Sequence, residues 1–83
     1  MLSELKYQKE LPGILTLEVE GLPRIWVASL NLNTRYFTSD RGEALQKQQD
    51  LWRFEMGFYK RECPSKRYAR ENLAIITQAL EEI

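Results

Sequence analysis

The sequence predicts an α+β fold, a three-stranded antiparallel meander followed by a two-helix hairpin, with a short N-terminal helix or arm in front. Three observations predict it. Apolar and polar residues alternate from Leu15 to Glu20, the period of a strand with one dry face and one wet face. After Arg41 the apolar residues recur at helical spacing instead. Between these segments stand Leu11-Pro12-Gly13, Gly21-Leu22-Pro23 and Cys63-Pro64-Ser65, combinations that break regular structure. With 83 residues the chain has room for one core, so 1–83 is expected to be a single domain.

Taken in order, residues 1–12 form an arm or a short helix over 3–10, with Ser3 as its cap and Leu11-Pro12-Gly13 as its stop. Residues 13–38 form the meander. Leu15, Leu17 and Val19 make the dry side of the first strand, and Thr16, Glu18 and Glu20 the wet side. The second strand, over 24–30, is apolar on both sides, Ile25 and Val27 on one and Trp26, Ala28 and Leu30 on the other. Such a strand belongs in the middle of a sheet or under helices. Asn31 to Asn33 turn the chain into a short third strand, Arg35 to Thr38. Short links between consecutive strands favour antiparallel pairing.

A long aromatic helix is expected over 40–62, capped by Ser39 or Asp40. Leu45, Trp52, Met56 and Tyr59 share one side of it. Ala44, Leu51, Phe54 and Phe58 widen that side to an arc of about 200°, where an ordinary surface helix needs roughly 100°. An arc this wide points to an associating surface, with Trp52, Phe54, Phe58 and Tyr59 as its aromatics. The last helix, over 65–83 with Ser65 as its cap, carries a seam of Leu73, Ile76, Leu80 and Ile83, widened by Ile75 and Ala79.

Charge and composition narrow the function. Twelve bases balance twelve acids, unlike the basic excess usual in nucleic-acid-coating domains. There is no histidine and a single cysteine, Cys63. Ordinary zinc sites and Cys-x-x-Cys redox pairs are excluded, and a reducing, cytoplasmic setting is expected. No leader-like segment and no apolar run of membrane length is present, so a soluble protein is expected. No phosphate-cradling loop, nucleophile elbow or metal-binding carboxylate series appears. The expectation is a protein without cofactor or metal and without enzymatic activity.

Three local features stand out. Lys60, Arg61, Lys66, Arg67 and Arg70 cluster around Glu62 at the start of the last helix, against the preference of a helix dipole for acids in that place. With Ser65 they would suit a partner's acidic surface or a phosphate, and Tyr59 and Tyr68 would add stacking surface for a base. The plainer reading is a solvated corner in which Arg70 pairs with Glu62 or Glu71. Glu55 falls inside the apolar arc, where a carboxylate either pairs with a base such as Arg24 or Arg35 or serves as a general acid or base. Cys63 lacks a histidine to activate it and reads as a structural thiol.

The run Thr38-Ser39-Asp40-Arg41-Gly42-Glu43-Ala44-Leu45, following strands and turns, resembles the antitoxins of the HicB family. It is also similar to the arm-binding domains of tyrosine recombinases. In both, a Thr- or Ser-containing cap and a Glu-Ala pair lead from three strands into a helix. The resemblance covers roughly residues 14–51 and implies the meander-then-helix order; the aromatic helix and the basic Pro-Ser junction belong to neither pattern, and no function is carried over. The expected function is therefore that of a small non-enzymatic binding or regulatory protein. It would act through a protein–protein surface, as a homodimer or as a subunit of an assembly. The alternative is a nucleic-acid- or phosphate-binding module using residues 60–70.

Overall fold

The computed structural model describes residues 4–31 and 33–83. Four strands, β1 (Glu4–Tyr7), β2 (Ile14–Glu18), β3 (Ile25–Asn31) and β4 (Thr34–Thr38), precede two helices, α1 (Arg41–Phe58) and α2 (Pro64–Glu81). The strands form one antiparallel sheet in the order β1-β2-β3-β4. The α+β class and the meander followed by two helices agree with the sequence reading, but the sheet has four strands where three were expected.

The extra strand replaces the N-terminal helix. Ser3, its expected cap, lies outside the described residues, whereas Glu4–Tyr7 is paired with β2. A helix of eight residues is marginal without neighbours, and pairing aligns Leu5 with Leu17 and Tyr7 with Leu15. Gly13 closes the hairpin at φ +87°, a conformation open to glycine and strained for other residues.

Pairing register fixes the two faces of the sheet. Ile14 lies opposite Ala28, which lies opposite Tyr36; Thr16 lies opposite Trp26, which lies opposite Thr38. Side chains of directly opposed residues share a face, and this inner face is the one α1 covers. Ile14 and Ala28 join Ala44, Leu45 and Trp52 of α1 and Ala69, Ile76 and Ala79 of α2 in one buried core. The expected sidedness of β2 is thereby reversed. Thr16, assigned to the wet side, is buried under the helices and accepts a hydrogen bond from Gln8 at 3.1 Å. Leu15 and Leu17 face away from the helices.

Two hydrogen-bonded anchors explain why α1 lies where it does. The buried Gln48 pairs with the backbone of β3: Ser29 N–H donates to its Oε1 at 2.8 Å, and its Nε2 donates to Ser29 O at 2.9 Å. One turn later Trp52 Nε1 donates to Pro12 O at 2.9 Å. Both anchors satisfy buried polar groups that would otherwise carry a desolvation cost.

Helix ends follow local chemistry. Asp40 caps α1, accepting from Gly42 N–H at 2.9 Å, as expected. The helix ends at Phe58, short of the expected residue 62, because Tyr59 turns extended (φ −92°, ψ 118°). α2 starts at Pro64, with Cys63 and not Ser65 in the cap position. Proline suits this place because its fixed φ fits a first helical turn that needs no N–H. Ala69, Asn72, Ile76 and Ala79 form the buried stripe of α2, while Leu73 and Leu80 flank it half-buried and Ile83 is exposed beyond the helix end. No helix among the described residues is long and apolar enough to cross a membrane.

Candidate functional site

The sheet's outer face is an apolar surface that neither helix covers. Register places Tyr7, Leu15, Val27 and Phe37 in one row across all four strands, and Leu5, Leu17 and Ile25 in the row beside it. Each strand supplies these residues at alternate positions, so the face is a direct product of period-two sequence. Tyr7 is 58% and Phe37 53% exposed at the two ends of the longer row, while Val27 at its centre is buried. Both helices lie on the opposite side. The Cα extents of 47 × 27 × 17 Å leave room in the thinnest direction for two layers, and stacked layers lie about 10 Å apart. Among the described strand residues, Arg35, opposite Ser29, is the one charged residue that register places on this face. Sequence reasoning identified Leu15, Leu17, Ile25 and Val27 as apolar but missed Leu5 and Tyr7, whose strand is too short to show a period.

The four aromatics assigned to an associating surface separate into two groups. Trp52, 7% exposed, belongs to the core, and Tyr59 is half-buried at the end of α1. Phe54 and Phe58 remain 69% and 70% exposed. Phe58 meets the ring of Tyr59 edge to face, with centroids 5.4 Å apart.

At the helix junction, Arg70 grips Glu62 with two hydrogen bonds, of 2.6 and 2.8 Å, the solvated pairing foreseen for this corner. The Arg70 guanidinium holds the Glu62 carboxyl below its ordinary range, with Lys66 and Arg67 adding to the attraction. Lys60, Arg61 and Arg67 are exposed and Lys66 is half-buried; none of them forms an ion pair among the described residues. Ser65 is exposed in the first turn of α2.

Beside this junction, Leu30, Asn31, Trp52, Glu55, Tyr59 and Tyr68, with Pro64 and Ser65, line an open cleft of about 530 Å³. Trp52 and Tyr68 stand edge to face, 5.9 Å apart with planes at 88°. Glu55 is half-buried and accepts a hydrogen bond from Tyr59 Oη at 3.2 Å. It pairs with neither expected base: Arg24 bonds to Glu18 at 2.6 Å, and Arg35 lies on the far side of the sheet. Cys63 is half-buried with a free thiol. Compared with known proteins, the chain matches no family model, no curated protein and no solved structure.

Proposed function

We propose that the protein is a small non-enzymatic binding protein that works by self-association, two copies closing their outer sheet faces upon each other. The observation that carries this reading is the two-row apolar face over which no layer lies among the described residues. Its backbone positions span roughly 14 Å across the strands and 7 Å along them. With side chains added, the patch reaches the few hundred Å² at which exposed apolar surface marks an interface.

A second copy is the occupant that fits best. A two-fold axis parallel to the strands, between β2 and β3, sets Tyr7 of one copy against Phe37 of the other and Leu15 against Val27. Such an interface uses one self-complementary patch on both copies. A net charge of zero leaves no long-range repulsion to oppose contact. Sheets packed in this way lie about 10 Å apart with strands within about 30° of alignment. The patch falls short of the roughly 800 Å² per partner of a standard interface, so the dimer is expected to dissociate on dilution.

Sedimentation equilibrium tests the reading. The native chain is expected to move from monomer to dimer with a Kd of about 1–100 μM. The double variant Leu17→Lys, Phe37→Lys should stay monomeric with an unchanged circular dichroism spectrum. A native chain that remains monomeric throughout that range, or a double variant that dimerises as before, overturns the proposal. In the second case Phe54 and Phe58 become the surface to test.

A further inference from the structure

We infer that the aromatic cleft between α1, α2 and the end of β3 binds guanine, held by stacking and by Glu55, with a phosphate at its basic rim. The cleft lies on the helical side of the sheet, so this site is independent of association through the outer face.

Glu55 is a carboxylate that lines the cleft, half-buried and without an ion-pair partner among the described residues. A carboxylate only accepts hydrogen bonds, through two adjacent oxygens. Tyr59 uses one lone pair of Oε1, which leaves both oxygens able to accept more. The half-buried ring of Tyr59 and the exposed ring of Tyr68 offer flat surface on which a planar base can stack, with the buried Trp52 beneath them as the floor. A volume of about 530 Å³ suits a ligand of nucleotide size.

Among the nucleobases, guanine matches an acceptor-only wall. Its Watson–Crick edge presents two neighbouring donors, N1–H and the N2 amino group, to the two carboxylate oxygens. Adenine and cytosine present one amino donor beside an acceptor nitrogen, which a carboxylate oxygen repels. Uracil presents one N–H between two carbonyls. Reading exposed base edges by side-chain hydrogen bonds while stacking the ring is the general mode of single-strand recognition.

The charge arrangement agrees. Lys60 and Arg61 follow Tyr59 in the chain, and Lys66 and Arg67 follow Ser65, so all four bases stand within two residues of one that lines the cleft, while Glu55 is itself part of the lining. Arg70 is occupied by Glu62, whereas Lys60, Arg61 and Arg67 are exposed and form no ion pair among the described residues. A base-first, phosphate-outward ligand satisfies both signs of charge.

Titration of the native chain with GMP, followed by NMR of the labelled protein, tests the site. Saturable shifts are expected at Trp52, Glu55, Tyr59 and Tyr68, with AMP at least about tenfold weaker. Glu55→Gln should erase the preference for GMP over AMP. Tyr68→Leu, which changes an exposed ring, should weaken both nucleotides by about tenfold. Guanosine should bind more weakly than GMP, and Lys60→Ala with Arg61→Ala and Arg67→Ala should remove that difference. A tetranucleotide RNA with one guanine distinguishes the source: tighter binding than GMP assigns the site to RNA, equal binding to the free nucleotide, and either supports guanine recognition. Equal affinity for GMP and AMP in the native chain, or no saturable shift, overturns it. The Leu17→Lys, Phe37→Lys variant should bind GMP as the native chain does, which separates this outcome from the fate of the dimer.

Discussion

On the inner face of the sheet Ile14, Ala28 and Trp26 lie beneath a helix; on the outer face Leu15, Val27 and Ile25 lie beneath no layer of the described chain. Hydrophobicity alone does not separate the two sets. What separates them is polar: Gln48 bonds to both backbone groups of Ser29, and Trp52 bonds to Pro12. These bonds are directional and admit one docking of α1, whereas apolar burial is satisfied by almost any cover. The inner face is specified and the outer face is merely sticky. Changes that disturb the inner anchors should unfold the protein, and changes on the outer face should alter only what it associates with.

Gly13→Ala should give the largest effect. The glycine sits at φ +87°, and a Cβ there would meet the Gln48 amide and come within 2.7 Å of Ser29 O. Left-handed strain and overpacking each cost about 1–3 kcal/mol, so a loss of about 2–6 kcal/mol is expected. A domain of this length has only about 4–12 kcal/mol of stability in all. Urea unfolding is the measurement, and a loss under about 1 kcal/mol would show that the Gly13–Gln48 contact does not fix the hairpin.

Gln48→Leu should follow, at about 1–3 kcal/mol. Ser29 N–H keeps its second acceptor, Gly13 O at 3.0 Å, but Ser29 O loses the donor that Gln48 supplied. The reciprocal swap, Leu17→Gln on the outer face, should change monomer stability by no more than about 0.5 kcal/mol while weakening the dimer. Equal costs for the two swaps would erase the distinction between the faces.

The same contrast explains what the sequence disclosed. Both helices were legible because 18-residue segments hold several turns of a 3.6-residue period, and Asp40 announced the start of α1. β1 was not legible: four residues carry no usable period, and Glu4–Tyr7 is a strand because β2 lies beside it. Alternation in β2 revealed two sides but not which one a helix would cover, a choice made by Gln48 and Trp52 far along the chain. Glu55, Tyr59 and Tyr68 each drew notice singly. Their convergence needed the extended backbone at Tyr59, which ends α1 and brings α2 back alongside it.

The smallest effect concerns the tie between the edge strand and the helix on the inner face. Tyr36 of β4 donates its phenol hydrogen to Glu43 of α1. That hydrogen bond, the negative charge of Glu43 and slight desolvation hold the Tyr36 phenol above its ordinary range. A pKa raised on folding means that the neutral phenol is favoured in the folded state. The resulting stability is fully present below the ordinary tyrosine value of about 10 and is lost as pH climbs through the raised one. Alkali should therefore loosen β4 from α1 while leaving the outer face able to associate. Because both groups are exposed, the effect is expected to be a small fall in thermal midpoint confined to pH above about 10. Tyr36→Phe should lower the midpoint slightly at neutral pH and flatten its alkaline slope. If the slope is unchanged in that variant, another group governs alkaline unfolding and the β4–α1 tie adds nothing to the inner face.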